Sequence, residues 1–252
     1  MQLEVAVLSN PGGRGVNEDA CGFWTGDGGC FCVVSDGAGG HGGGDVASKL
    51  AVRVILTHFQ EAPFCTGEEI EFALKAAHRA IVDQQQTRDV LARMRATATV
   101  LAIDTVHNSA VWGHVGDTRL YLFRDGRVAV QTKDHSVVQK MVDAGYLAQE
   151  ALRDSLQRSR LFAALGHEED YTATIEATPM ALQPGDAFLL CTDGFWEYVN
   201  EVSMLAALAR HATPAEWLRD MERDVVANGG REQDNFSAVA VFCGDAAARR
   251  TA

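Results

Sequence analysis

Carboxyl side chains stand where several apolar, strand-like stretches of the sequence begin or end. Three of them come directly after such a stretch, one comes just before, and an adjacent pair precedes another. They are, in chain order, Glu18, Asp19, Asp36, Asp117, Asp193 and Asp234. Because neighbouring strands end along a shared edge of a sheet, we expect these carboxylates to converge.

Carboxylates that converge repel one another and raise one another's pKa values. A hard divalent cation removes that cost, since Mg²⁺ and Mn²⁺ prefer carboxylate, carbonyl and water oxygen. Glycine follows both Asp36 and Asp193, and it permits unusual backbone dihedrals and leaves its carbonyl unshielded. Aspartate also caps helices and starts turns, so the pattern alone leaves both interpretations open.

Asp-Gly pairs are also typical of hairpin turns, and two of the four pairs fit that role. Asp27-Gly28 and Asp125-Gly126 each separate two strand-like runs, as hairpin turns do. Asp36-Gly37 leads instead into a glycine-rich stretch and a helix, and Asp193-Gly194 leads into Phe-Trp-Glu-Tyr-Val. Neither of these two pairs is followed by a partner strand, which favours a functional role.

The spacing of apolar residues predicts groups of strands alternating with helices. Strands are predicted at 2–8, 20–25, 30–35, 96–104, 109–115, 119–124, 127–132, 173–177, 186–191 and 236–242, and helices at 45–60, 68–85, 136–144, 202–211 and 215–228. Paired helices with hairpin-linked strands between them indicate a layered α+β architecture with mainly antiparallel sheets. The polar, irregular segment 145–170 is predicted to form a surface flap.

Composition limits the classes of partner. The 252 residues are 47% apolar, and 22 Lys and Arg stand against 34 Asp and Glu, for a net charge of −12. Nucleic acid and anionic membranes are bound by clustered cations, so the balance argues against both partners. An acidic protein that handles phosphate needs a local positive charge, which bound metal would supply.

The sequence predicts a reducing, cytoplasmic setting. The N-terminus does not resemble a signal peptide, and no apolar run approaches the roughly 20 residues of a membrane helix. The six cysteines include no CxxC pair and are predicted to be reduced, mostly buried thiols.

Six short segments together resemble the protein phosphatase 2C family, the metal-dependent Ser/Thr protein phosphatases, and in particular its short bacterial-type members. Each segment alone is a common pattern, but they occur in the family's order over nearly the whole chain. The segments are Arg14-Gly-Val-Asn-Glu-Asp19, Val34-Ser-Asp-Gly-Ala-Gly-Gly-His41, Val115-Gly-Asp-Thr-Arg119, Thr132-Lys-Asp-His-Ser136, Leu190-Cys-Thr-Asp-Gly-Phe195 and Asp234-Asn-Phe-Ser237.

The resemblance implies a four-layer α-β-β-α sandwich, in which two central, mainly antiparallel sheets are flanked by helix pairs and the site lies at one edge. We expect one phosphatase domain over residues 1–245, a short tail at 246–252, and a monomer. The implied activity is that of a metal-dependent protein serine/threonine phosphatase. Its substrates would be phosphoproteins, the targets of an opposing Ser/Thr kinase.

The resemblance also assigns metal ligands, residue by residue. Asp36 would bridge two Mn²⁺ or Mg²⁺ ions, and the Gly37 carbonyl would hold one of them. Asp193 and Asp234 would hold the other ion. The dinuclear centre would activate a water that attacks phosphorus in line.

The remaining assignments surround that centre. Glu18 and Asp19 would act through metal-bound waters. Asp117 would join Asp193 at a third, weaker metal position. Arg14 would bind the phosphate oxygens and stabilise their charge.

One position departs from part of the family. Ala38 stands where some members carry a histidine proposed as the general acid, so a metal-bound water would take that role here. His41 is the nearest alternative acid, although the glycine-rich stretch around it favours a structural role. His135 is expected to brace the sheet edge, and Cys191, which lacks the phosphate loop of cysteine phosphatases, is expected in the core.

Two other hypotheses remain. A catalytically silent relative would bind phosphoproteins or another partner, but silent relatives lose metal ligands and here every matched position is filled. A different dinuclear metallohydrolase would carry histidine ligands in patterns such as GDxHG, whereas Asp117 continues as Thr-Arg. In the leading hypothesis, the flap at 145–170 is the expected place of substrate selection.

Overall fold

The computed structural model describes residues 1–26, 28–39, 43–148, 151–153, 155, 157–167, 171–231 and 233–244. The turn residue Asp27, the alternative acid His41 and the tail at 246–252 lie outside these ranges. The boundary between domain and tail therefore stays a prediction.

Two five-stranded antiparallel sheets form the centre of the described chain. The first sheet has the spatial order β1 (Leu3–Asn10), β12 (Phe236–Cys243), β11 (Ala187–Cys191), β8 (Arg119–Arg124) and β9 (Arg127–Gln131). The second has the order β10 (Thr174–Ala181), β7 (Ser109–Val115), β6 (Ala98–Asp104), β3 (Gly29–Ser35) and β2 (Ala20–Gly26). The short strands β4 (Gly37–Ala38) and β5 (Arg95–Ala96) pair with each other as a separate ribbon.

Helix pairs cover the outer faces of both sheets. Helices α1 (Gly44–Glu61) and α2 (Gly67–Gln85) pack on the second sheet, and α5 (Glu201–Arg210) and α6 (Pro214–Asn228) pack on the first. Helix α3 (Val137–Asp143), the one-turn α4 (Asp193–Trp196) and a 3₁₀ turn (Asp89–Leu91) lie in the connections. This order of layers confirms the predicted α+β sandwich.

Strand β3 contributes side chains to two hydrophobic cores, one on each face of its sheet. Its residues Cys30, Cys32 and Val34 face the other sheet, while Phe31 and Val33 pack beneath α1 and α2. Side chains alternate between the faces of a strand, so a strand covered on both faces is apolar throughout. This explains why the sequence shows a continuous apolar run there rather than an alternating one.

The strand predicted at 96–104 is interrupted at Thr97, which bonds outside its own sheet. Its backbone N–H donates to the Asp36 carbonyl at 2.8 Å, and its Oγ1 accepts from the Asp36 N–H at 2.9 Å. The strand predicted at 173–177 runs on to Ala181, with a bulge between Glu176 and Met180. The turn at Asp125-Gly126 is confirmed, since both residues have positive φ, 51° and 68°.

The segment 145–170 is irregular where it is described, as predicted, but several of its apolar residues are buried in the cores rather than lying at the surface. Ala163 and Leu165 are buried in the core beneath α2. Leu165 exchanges two backbone hydrogen bonds with Ala96, at 2.8 and 3.1 Å, and Leu152 packs into the core beneath α5 and α6. Single apolar residues in an irregular segment show no periodicity, so the sequence does not indicate that they are buried.

All six cysteines are free, and Cys30, Cys32 and Cys191 are buried, which confirms that these three belong to the core. Within the described ranges, none of the helices has both the length and the apolar character that crossing a membrane requires.

Candidate metal centre

One edge of the sandwich collects the strand ends that carry the predicted carboxylates. In the second sheet, Ala20 pairs with Ser35 and Ala98 with Val115, so the residues before β2, after β3 and after β7 share that edge. In the first sheet, Cys191 pairs with Ala238, which places the residues after β11 and before β12 together. The convergence expected from the sequence therefore follows from strand register.

A cavity of about 500 Å³ opens at this edge. Seven of the eight predicted site residues line it, namely Arg14, Glu18, Asp36, Gly37, Asp117, Asp193 and Asp234. Asp19 does not line it and lies buried behind its wall, where Oδ2 accepts a hydrogen bond from Thr192 Oγ1 at 2.9 Å. This bond links the two sheets. The side chain of Asp19 therefore supports the wall of the cavity from behind.

Burial and mutual repulsion raise the pKa of most of these carboxyl groups. Loss of hydration is the largest cause for Asp36 and Asp117, whose pKa values lie well above the usual range, and the charge of Asp193 is the next cause for both. Burial also raises the pKa of Asp193 and of Asp19 to about 7. A cluster of this kind is unfavourable as free anions and is stabilised by protons or cations.

The donor set fits a hard divalent cation. The described lining offers carboxylate and carbonyl oxygens and contains no His or Cys, which is the oxygen chemistry that Mg²⁺ and Mn²⁺ prefer. In the described part of the chain, no three His, Cys, Asp or Glu side chains are already arranged to hold a metal ion.

Gly37 occupies a position where no side chain fits. A Cβ there would lie 2.0 Å from the Gly44 carbonyl oxygen and 2.6 Å from the Glu18 carbonyl oxygen. The Gly37 N–H donates to that same Glu18 carbonyl at 3.1 Å. The close approach of three chain segments explains the glycine after Asp36.

Gly116 makes the turn that carries Asp117 to the cavity. Its φ of +98° lies in the region that favours glycine, and a Cβ would contact the Thr97 side chain at 2.5 Å. The His135 Nδ1 accepts a hydrogen bond from the Gly116 N–H at 3.2 Å, and the His135 N–H donates to the Gly116 carbonyl at 2.9 Å. His135 therefore braces the sheet edge, as expected from the sequence.

A buried ion pair behind Asp117 was not singled out from the sequence. Arg119 donates from Nε and Nη2 to both oxygens of Asp134 at 2.8 Å, and the two side chains are only 4% and 3% exposed. The guanidinium lies 3.5 Å from the centre of the Trp196 ring, whose Nε1 donates to the Asp117 carbonyl at 3.0 Å. These contacts hold the backbone of Asp117 from beneath.

Arg14 lies at the mouth of the cavity and pairs with Asp234. Its Nη2 donates to Asp234 Oδ2 at 3.0 Å, and the two side chains are 55% and 51% exposed. Exposed ion pairs of this kind contribute little free energy, so the guanidinium is able to exchange Asp234 for another anion. Nothing in the local sequence around either residue indicates this pairing.

Asn235 fixes the loop that carries Arg14, a role that the sequence motif did not reveal. Its Oδ1 accepts from the Glu18 N–H at 2.7 Å, and its Nδ2 donates to the carbonyls of Pro11 and Val16 at 2.9 and 3.0 Å. Such side-chain contacts with backbone groups over 200 residues away in sequence leave no local pattern.

Two further observations bear on the sequence predictions. Ser159 and Leu161 line the cavity, so the anchored part of the 145–170 segment reaches the site. Cys191 is fully buried, and burial raises the pKa of its thiol, as expected for a core residue rather than a nucleophile.

Comparisons with known proteins agree with this geometry. A family model described as Protein phosphatase 2C matches residues 13–228. The serine/threonine phosphatase stp of Listeria monocytogenes is 32% identical over 206 residues, which cover 79% of this chain and 80% of that protein. The serine/threonine protein phosphatase PstP of Mycobacterium tuberculosis is 35% identical over 180 residues, or 70% of this chain but only 34% of PstP. The chain thus matches about a third of that relative's length.

A solved structure is also similar to this chain. The catalytic domain of serine threonine protein phosphatase PstP in complex with two manganese ions superposes with a TM-score of 0.80 at 30% identity, covering 96% of this chain and 99% of that one. The family model spans most of the chain, and the fold is that of a solved structure of a serine/threonine protein phosphatase. The chain therefore belongs to the protein phosphatase 2C family.

Proposed function

We propose that the chain is a metal-dependent protein serine/threonine phosphatase that hydrolyses phosphate monoesters on phosphoserine and phosphothreonine. The observation that carries the proposal is the cavity in which five carboxylates, most of them partly or fully buried, converge beside an exposed arginine, with no His or Cys in its described lining. The relatives named as Ser/Thr phosphatases support the same substrate class.

The proposed ligand assignments follow the residues around the cavity. Asp36 would bridge two cations, with the Gly37 carbonyl on one and Asp193 and Asp234 on the other. Mn²⁺ is supported by the manganese-bound PstP structure, and Mg²⁺ has the same preference for oxygen. Bound there, the two cations would lower the pKa of water towards neutrality and neutralise charge on the phosphoryl oxygens.

The outer assignments remain proposals of the same kind. Glu18 lines the cavity and Asp19 supports it from behind, so both would act through intervening water. Asp117, supported by Trp196, would form a third position together with Asp193.

The chain's own residues would bind and orient the phosphate. Arg14 would leave Asp234 and donate to two phosphoryl oxygens, for which its planar fork is suited. The described lining holds no imidazole, thiol or amine, so water in the cavity would supply the proton to the leaving alkoxide. Ala38 leaves room for that water.

We further propose a cytoplasmic monomer whose substrates are produced by an opposing Ser/Thr kinase. The reduced cysteines support a reducing compartment. The net charge of −12 supports protein substrates rather than nucleic acid.

A metal-dependence panel tests the function. Chelated protein is assayed with Mn²⁺, Mg²⁺ or no metal on p-nitrophenyl phosphate and on matched phosphothreonine and phosphotyrosine peptides. We expect hydrolysis only with added metal, a preference for the phosphothreonine peptide, and resistance to okadaic-type inhibitors. Full activity after exhaustive chelation would contradict the two-metal mechanism.

Two variants complete the panel. Asp193→Asn should lose turnover, whereas Asp83→Asn, which removes the same charge from an exposed position on α2, should retain it. A folded wild type that binds Mn²⁺ in calorimetry yet hydrolyses none of the substrates would instead support the silent relative.

A further inference from the structure

A second cavity of about 320 Å³ adjoins the candidate metal centre. The two cavities share part of their walls and so form one continuous groove. The shared residues are Ala38, Thr97, Ser159 and Leu161. A polypeptide whose phosphorylated residue enters the metal centre therefore has room to continue into the adjoining cavity.

The charge of the lining changes sign between the two cavities. The metal cavity is lined by carboxylates, whereas the adjoining cavity is lined by Arg95 and Arg160 and its described lining has no Asp or Glu. Both arginines are exposed, and within the described residues neither guanidinium has a hydrogen bond or ion pair. Two unneutralised cations on one groove stand out in a chain with a net charge of −12.

The backbone holds both arginines in fixed positions beside the metal centre. Arg95 pairs with Ala38 in the β4–β5 ribbon, and Ala38 directly follows Gly37 in the sequence. The Arg160 carbonyl accepts from the Val137 N–H at 2.8 Å, and the Arg160 N–H donates to Gln157 at 3.0 Å. The side chains are thus presented from anchored strands and turns rather than from loose termini.

We propose that this arginine-lined groove is a subsite for a second anionic group on the substrate polypeptide, either an acidic side chain or another phosphorylated residue. The guanidinium fork matches carboxylate and phosphate oxygens. The two cavities share wall residues, so the anionic group lies close in sequence to the phosphorylated one. The proposal rests on the proposed phosphatase function and names its preferred substrate class.

The overall charge favours such a subsite for acidic substrates. The acidic surface repels an acidic peptide at long range, and a local positive groove counteracts that field beside the site. The arginines would therefore decide between acidic and neutral sequences around the phosphorylated residue, while the carboxylate-lined cavity acts on the phosphate itself.

Phosphothreonine peptides that differ only in flanking residues test the subsite. Flanking positions carry alanine, glutamate, lysine or a non-hydrolysable phosphoserine mimic. The readouts are kcat/KM with Mn²⁺ and, independent of turnover, Kd by fluorescence anisotropy for the same sequences with a phosphonate in place of phosphothreonine. We expect a preference for the two anionic series over alanine of about 1.5- to fivefold, the range for an exposed charge pair, and a decrease of the preference with salt.

Variants assign the preference to the two arginines. Arg95→Gln and Arg160→Gln should each lower the ratio of anionic to neutral peptides towards one, and Arg95→Glu should favour the lysine series. Arg93→Gln is the matched control, since Arg93 is an exposed arginine two residues from Arg95 that does not line the groove. It should keep the wild-type ratio.

The outcomes separate the subsite from the function. Equal kcat/KM and Kd for neutral and anionic peptides, or a preference that Arg95→Gln and Arg160→Gln leave intact, would overturn the subsite. Failure of the wild type to hydrolyse p-nitrophenyl phosphate, which is too small to span the groove, would count against the proposed function, while the anisotropy series still decides the subsite. Tighter binding of the phosphoserine mimic than of glutamate would identify phosphate as the preferred ligand.

Discussion

Replacing Asp36 by asparagine should act in opposite directions with and without divalent cations. With cations, the bridging charge is lost, so metal affinity should fall and turnover should decrease by orders of magnitude. Without cations, the same change removes one negative charge from a crowded, partly buried cluster and should stabilise the fold. Asparagine is nearly isosteric with aspartate, so packing around the position changes little.

The size of the metal-free effect follows from the surroundings of Asp36. Its pKa is raised well above the usual range, first by burial and then by the charges of Asp193, Asp19, Asp117 and Asp234. Two carboxylates about 6 Å apart repel by roughly 3 kcal/mol at an effective dielectric constant of about 20. The cluster relieves much of this by taking up protons, which leaves a net gain of about 1–2 kcal/mol. For a chain of this size, that gain corresponds to an increase in Tm of roughly 2–8 °C.

Thermal melts of the wild type and the variant, each in EDTA and in Mn²⁺, measure both effects. Mn²⁺ should raise the Tm of the wild type far more than that of Asp36→Asn, because stabilisation by a ligand grows with its affinity. Asp83→Asn, an exposed neutralisation, should follow the wild type within about 0.5 kcal/mol. If Asp36→Asn melts below the wild type in EDTA yet gains as much from Mn²⁺, the carboxylates do not converge around metal.

Four further predictions follow from the site. Arg14→Ala should raise KM severalfold with a smaller change in kcat, because phosphate is contacted in both ground and transition states; unchanged steady-state constants would exclude the contact. Asp117→Ala should lower turnover yet retain two tightly bound cations in calorimetry, and loss of both would make Asp117 a primary ligand. Asp134→Asn leaves its buried arginine partner without a counter-charge and should cost about 3–5 kcal/mol in urea unfolding; a cost below about 1 kcal/mol would contradict that. In EDTA, stability should fall as pH rises from about 4 to about 7 and level off above that, because Asp19 and Asp193, each with a folded pKa of about 7 against 3.8 unfolded, keep protons that the unfolded chain has lost; melts that are flat or rising across this window would refute it. His135, whose pKa is lowered to about 4, acts in the opposite sense between pH of about 4 and 6.5 and offsets only part of this fall.

The strands that deliver the site could be predicted because their signals are local. Strands β3 and β11 are buried on both faces, so each appears as an uninterrupted apolar run that ends in Asp36 or, after Thr192, in Asp193. Antiparallel pairing then brings such ends to one edge without further information. Similar local logic identified the turn at Asp125, whose strands are joined with no intervening element.

The parts that escaped prediction depend on contacts distant in sequence or on elements too short for periodicity. Thr97 breaks its strand because of a partner 61 residues away. The helix α4 spans only Asp193–Trp196, which is too short for a helical period to show. The pairing of Arg119 with Asp134 joins residues 15 apart, and nothing in either local sequence distinguishes it from a surface pair.

The pair Glu18-Asp19 shows a limit of another kind. Successive side chains of an extended segment point to opposite sides, and the structure places Glu18 at the cavity and Asp19 behind it. The alternation could have indicated that one of the two faces away. Which one does so is decided by the loop that Asn235 holds, through its hydrogen bond to the Glu18 N–H.

The raised carboxyl pKa values connect metal affinity with the stability of the metal-free fold. Asp193 and Asp19 have pKa values of about 7, so near neutral pH a binding cation displaces protons as well as relieving repulsion. Metal uptake should therefore release protons and strengthen as pH rises. The repulsion that weakens the metal-free fold also supplies part of the free energy of cation binding, because both come from the same crowded carboxylates. A substitution that relieves repulsion among these carboxylates should then weaken cation binding. For this reason, the effect of Asp36→Asn on stability should be positive in EDTA and negative in Mn²⁺.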